Sequence, residues 1–302
     1  MGMQLRPKSS DQLEHAVLLY RRALDICPPE APLLRARVTG RLGTALQALP
    51  AGGAAALQEA LACYERALPT LAARGNPEEA AEIHMNLGLV QQALASGGGA
   101  RLHDAIESYH RALRTFTRED YPQEFAILHN NLAIAYLSIP LSDERGRMRE
   151  ALAVQSFEEV LKVVNLIDHP NEYAMIQNNL GNALQYAASG HALENNLRAL
   201  AAYAEALKVR NPRDTPAEYA NTIANQANVF RNLPDDPGSS GENPGSGRET
   251  CLRRARDLYG QALRIFTERN DADSANVAAD ALREIEQELD GHTAAGAARC
   301  TP

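Results

Sequence analysis

Apolar residues recur at intervals of three and four along most of the chain, the spacing of a helix with one buried face. Ile127, Leu128, Leu132 and Tyr136 show it in one block, and Ile176, Leu180 and Leu184 in the next. The stretch from Pro170 to Leu207, PNEYAMIQNNLGNALQYAASGHALENNLRALAAYAEAL, contains the whole unit. It predicts a first helix opened by proline with an acidic residue close behind. A short break follows, then a second helix folded back on the first. Proline suits the first helical turn, where its missing N–H has no partner to lose, and glutamate there meets the positive end of the helix dipole.

The unit repeats. Second helices carry an aromatic residue followed by x-x-Ala-Leu or a close relative, at Tyr20, Tyr64, Tyr109, Phe157, Tyr203 and Tyr259. First helices start at Pro32, Pro77, Pro122, Pro170, Pro216 and Ala272, with Leu42, Leu87, Leu132, Leu180, Gln226 and Leu282 at one matching packing position. The two sets of anchors drift in step, which marks a structural repeat. Directly after the packing position stand Gly43, Gly88, Ala133, Gly181 and Ala227. Glycine inside a helix costs about 1 kcal/mol, so close approach of the partner helix is the expected compensation. The predicted architecture is an all-α solenoid of about twelve antiparallel helices: a lone second-type helix over 11–26, five hairpins over 32–73, 77–118, 122–168, 170–211 and 216–269, and a closing first-type helix over 272–290.

Residues 11–290 thus read as one array, flanked by a flexible N-terminus over 1–10 and a frayed tail over 291–302. PDDPGSSGENPGSG, 234–247, has no periodicity and reads as a mobile insertion. Asp143–Arg149 reads as a shorter charged insertion.

Composition narrows the function classes. The 302 residues hold 30 basic and 38 acidic side chains, a formal charge of −8, which argues against a nucleic-acid surface. No apolar run reaches the length of a membrane span, and MGMQLRPKSS has no apolar stretch behind it to make a signal peptide. Cys27, Cys63, Cys251 and Cys300 are scattered without metal-ligand spacing, which points to free thiols in a reducing cytoplasm. No phosphate-binding glycine loop, nucleophile elbow or HExxH occurs. The chain reads as a non-enzymatic protein that needs no cofactor or metal.

LHNNLAIAY (Leu128–Tyr136) and IQNNLGNAL (Ile176–Leu184) resemble the first helices of tetratricopeptide repeats of the extended kind. They are similar to those of kinesin light chain and of bacterial arrays associated with caspase-like protease domains. The resemblance covers about residues 11–290 and is strongest over 77–231. It implies a right-handed superhelix that holds a protein or peptide segment in a concave groove, as a scaffold or adaptor. A regulator that senses a small signalling ligand inside the superhelix is the alternative. Neither the oligomeric state nor the identity of the partner follows from it.

The candidate site residues form a row. Asn86, Asn131, Asn179 and Asn225 stand just before the packing position of successive first helices, with Asn130, Asn178, Asn182 and Asn228 beside them or one turn away. Asparagine is a mediocre helix former, so repetition at one register needs a local reason. Two uses stay open. The resemblance implies that these amides line the groove and grip a ligand backbone through donor and acceptor together. Alternatively they satisfy one another between helices inside the stack. Arg37 and Arg41, at the corresponding register of the first hairpin, are the candidates for an acidic ligand group, or else solvated surface charge. His84 and His129 occupy equivalent positions and read as polar packing, since two imidazoles alone are weak evidence for a metal. Phe125, Tyr173 and Tyr219, three residues after each proline, read as inter-repeat packing.

Overall fold

The computed structural model describes residues 9–50, 52–96, 102–139, 144–187, 191–233 and 247–299, without the side chains of 96, 144, 145, 147 and 291–299. Among the described residues the chain is all-α, with twelve helices and no strand. They are α1 (Ser10–Ile26), α2 (Pro32–Gln47), α3 (Gly53–Arg74), α4 (Pro77–Ser96), α5 (Leu102–Ala112), α6 (Pro122–Ser138), α7 (Glu144–Val160), α8 (Pro170–Tyr186), α9 (Ala192–Ala206), α10 (Pro216–Asn232), α11 (Gly247–Glu268) and α12 (Ala272–Arg299).

The even-numbered helices start on the residues expected from the sequence. At α2, α6, α8 and α10 proline occupies the first turn, and the residue before it is held outside the helical region with ψ near 60°. At α4 the Glu79 carboxylate reaches back to accept the Asn76 N–H at 2.9 Å. The charged segment read as an insertion after residue 142 is helical from Glu144 onward and forms the first turns of α7. The α12 backbone likewise continues through Gly291 to Arg299, where a frayed tail was expected; the segment is rich in alanine, the best helix former. Residues 1–8 and 234–246, read as flexible N-terminus and mobile insertion, lie outside the described residues.

Consecutive helices pack as hairpins, the α-solenoid arrangement, within two compact units, 1–141 and 142–302. In the first unit Leu42, Leu46, Tyr64, Ile83, Leu87 and Val90 are buried together. In the second, Ile176, Leu184, Tyr203, Ile223, Leu252 and Ile285 are fully or nearly fully buried. No helix among the described residues is long and apolar enough to cross a membrane.

In three hairpins the aromatic anchor holds the two helices together. Tyr64, Tyr109 and Tyr203 are fully buried. A Cβ built on Gly43, Gly88 or Gly181 would meet the ring of Tyr64, Tyr109 or Tyr203 at 2.8, 2.3 and 2.5 Å. Glycine is therefore required for the close approach of the two helices, as its repetition suggested. The phenol is also satisfied, by the side chain one helical turn beyond the glycine. Tyr64 Oη donates to Gln47 Oε1 at 2.8 Å and Tyr109 Oη to Gln92 Oε1 at 2.8 Å. Gln185 Nε2 donates to Tyr203 Oη, which itself donates to Asn182 Oδ1 at 2.7 Å. In the repeat whose anchor is Phe157, with no hydroxyl, the position equivalent to those glutamines is Leu137.

Candidate functional site

The first-type helices α2, α4 and α6 in the first unit, and α8, α10 and α12 in the second, carry every candidate residue. Their side chains divide into those that hold neighbouring helices together and those that remain at the surface.

In the second unit most of the asparagine row is tied into the stack. Asn178 is buried. Its Oδ1 accepts from Thr222 Oγ1 at 3.2 Å and from Asn225 Nδ2 at 3.4 Å, joining α8 to α10. Thr222, fully buried, also receives Arg210 Nη1 at 2.7 Å. Burial holds the Arg210 guanidinium below its ordinary pKa, and the nearby Glu218 opposes that shift. Asn228 Nδ2 donates to Gln185 Oε1 at 2.8 Å, and Asn182 is taken by Tyr203. The structure thus brings Asn178, Asn182, Asn225 and Asn228 together with Thr222, Gln185 and Arg210, which the sequence reading did not single out. The signal for Gln185 was present, since glutamine recurs one turn after each helix glycine wherever the anchor is tyrosine.

Asn131 and Asn179 differ. Each is half-buried, and each accepts one long contact of 3.5 Å from its neighbour, Asn130 or Asn178. Among the described residues neither carboxamide nitrogen has a hydrogen-bond acceptor. One turn before them on the same faces, Ile127 of α6 is 49% exposed and Met175 of α8 is 41% exposed. Asn86 is buried in α4.

Arg37 and Arg41 are exposed surface charges, and both are paired. Arg37 Nε donates to Glu79 Oε1 at 2.6 Å, and Arg41 Nη1 to Glu82 Oε1 at 3.1 Å, so both bridge α2 to α4. The hydrogen bond from Arg37, with that from the Asn76 backbone, holds the Glu79 carboxyl below the usual carboxylate range. These ion pairs stand over a small cleft of about 120 Å3 with Gly40, Leu71 and Ile83 inside it. An acidic ligand group would have to displace two carboxylates already in place.

Both histidines are half-buried. His84 Nδ1 is buried without a hydrogen-bond partner among the described residues, and burial lowers its pKa, helped by Arg111 and Arg114. The His129 ring packs on Phe125 with centroids 4.3 Å apart. Tyr173 Oη donates to Glu205 at 3.0 Å, which is a contact within its own hairpin rather than between repeats. No group of three or more potential metal ligands occurs among the described residues.

A second cleft, of about 280 Å3, opens in the second unit between α10, α11 and α12. Tyr259 and Phe266 of α11 are buried beneath it, and Asn225, Asp273 and Val277 stand among its walls.

No protein-family model matches the chain, and no curated protein matches it in sequence. Among solved structures it is similar to the C-terminal part of a TPR repeat-containing protein from Cytophaga hutchinsonii. That similarity has 12% sequence identity, covers 92% of this chain and 96% of the other, and gives a TM-score of 0.47.

Proposed function

We propose that the protein is a non-enzymatic scaffold or adaptor whose first-type helices, within each unit, bind an extended segment of another protein. The observation that carries this reading is the pairing of a half-exposed apolar side chain with an underused carboxamide one turn later. Ile127 and Asn131 form this pair on α6, and Met175 and Asn179 form it on α8. An exposed apolar residue offers contact area, while an amide with a free donor can take a peptide carbonyl whatever the side chains of the ligand. In the second unit Asn178, buried beside Asn179, ties α8 to α10 and does not itself need to touch the ligand.

Affinity capture of binding proteins, comparing wild type with the Asn131→Ala/Asn179→Ala double variant, tests the reading. A partner retained by wild type and lost by a variant of unchanged helicity supports it. A partner retained equally by both removes the carboxamides from the binding surface.

A further inference from the structure

The cleft between α10, α11 and α12, about 280 Å3, is larger than its counterpart of about 120 Å3 at the first junction, because the last repeat places smaller side chains there. Within each unit, where one hairpin follows the next, three residues hold matching positions in the repeat. In the first unit they are Gly40, Leu71 and Ile83 at one junction and Met85, Phe116 and Leu128 at the next. In the second unit they are Asn178, Arg210 and Thr222, joined by hydrogen bonds, and then Ala224, Phe266 and Ala278. Only the last set pairs one large residue with two alanines. Phe266 stays buried, and the volume the alanines leave is open.

The rim differs in the same way. At the first junction two ion pairs, Arg37–Glu79 and Arg41–Glu82, close over the cleft. The equivalent pairs at the last junction are Asn221 with Ser274 and Asn225 with Val277, which cannot bridge by charge. Val277 is 69% exposed, an apolar side chain left at the mouth. Asp273 is exposed and is the only acidic or basic residue among those that line the cleft. The acidic excess of the chain also falls almost wholly on residues 142–302.

We infer that this cleft receives one apolar side chain of an extended partner segment whose adjacent residues are lysine or arginine. The apolar group rests on Phe266 and Tyr259 between the two alanines, and the neighbouring cation faces Asp273. An aliphatic side chain buried in a preformed cleft contributes through the apolar area it removes from water, and the opposite charge at the rim selects among segments. This inference rests on the reading of the first-type helices as the binding surface and supplies the anchor that surface lacks.

The probe is a short acetylated and amidated peptide with a central leucine flanked by lysines. Controls replace the leucine by serine, or the lysines by glutamate. Binding is followed by fluorescence polarisation and by the methyl NMR signals of Ala224, Val277 and Ala278. The leucine–lysine peptide is expected to bind, to shift those three methyl signals, and to weaken by roughly tenfold or more with either control. Ala224→Leu fills the cleft from a half-buried position and should abolish the shift. Asp273→Lys should weaken the lysine peptide and strengthen the glutamate one, a reversal that loss of folding would not produce. Binding indifferent to the leucine and to Ala224→Leu, yet lost in Asn131→Ala/Asn179→Ala, overturns the cleft and leaves the helix-face reading standing. No binding of any of these peptides to wild type overturns the cleft as well. Concentration-dependent self-association lost in Ala224→Leu would assign the cleft to a second copy of the chain and overturn it too.

Discussion

The ring of Tyr109 occupies the space that a side chain at Gly88 would need. A Cβ at Gly88 would stand 2.3 Å from Tyr109 Cε1, and the ring is fully buried with no room to withdraw. Gly88→Ala gains about 1 kcal/mol of helix propensity but forces an overpacked core, which typically costs 1–3 kcal/mol, about 3 in so rigid a site. Net destabilisation is therefore expected. It should fall in the order Gly88, Gly181, Gly43, following approaches of 2.3, 2.5 and 2.8 Å. Urea denaturation of the three alanine variants reads the ranking directly, and a stabilised Gly88→Ala protein would contradict the packing.

High pH should unfold the protein through these same anchors. Burial raises the Tyr64 phenol to about 12 and pushes those of Tyr109 and Tyr203 up further. In the unfolded chain each titrates near 10. Between these values the folded state keeps protons that the unfolded state has lost, so stability falls as pH rises. The contribution is intact below pH 10, and each phenol then removes about 1.4 kcal/mol per pH unit until its folded pKa is reached. Thermal melts from pH 9 to 12 should show a steepening loss of Tm, shallower in Tyr203→Phe. A flat profile would mean that the phenols are not held neutral in the fold.

Asn178 and Asn179 are neighbours with opposite expected roles. Asn178→Ala removes the acceptor shared by Thr222 and Asn225 between α8 and α10 and should cost about 1–3 kcal/mol. Asn179→Ala sits at the half-buried surface and should change stability by less than about 0.5 kcal/mol. Chemical denaturation separates the two, and equal losses would place Asn179 in the structural network as well.

Arg248 gathers three helices at one point. Its guanidinium donates to the carbonyl oxygens of Arg231 and, at 3.1 Å, Leu233, and it pairs with Glu288 of α12 at 2.6 Å. With its side chain only 17% exposed, the contacts are little screened by solvent. Arg248→Ala should cost about 2–3 kcal/mol and loosen α12 first. Hydrogen exchange would show that as lost protection in α12 before α8. Uniform loss across the unit would instead mean that α12 unfolds with the rest.

Much of this protein was legible in its sequence because the determinants are local or periodic. Proline at the first turn, heptad-like apolar spacing and a recurring aromatic anchor specify where helices begin and which face is buried. Helix glycines before a tyrosine partner implied close approach, and the 2.3–2.8 Å spacings at Gly43, Gly88 and Gly181 show it. The candidate asparagines were visible as a row for the same reason, since one register repeats along the chain.

Which partners the row finds inside the fold was decided only in three dimensions. Whether an amide meets a ligand or a neighbouring helix depends on side chains more than forty residues away. Asn178 finds Thr222 and Asn225 across the repeat, while among the described residues the carboxamide nitrogens of Asn131 and Asn179, at the same helical register as Asn225, meet no acceptor. Arg37 and Arg41 read either as sites for an acidic ligand group or as surface charge, and α4 brings Glu79 and Glu82 against them. The cleft beside Asp273 is also a tertiary product. Two alanines are unremarkable in a helical sequence, and they become a cavity only when stacked opposite each other over Phe266. Local sequence settles helices and their buried faces because hydrogen bonding and hydrophobic periodicity act within a few turns. Partnerships between polar side chains, and the space left between repeats, are settled by the packing of helices distant in the chain.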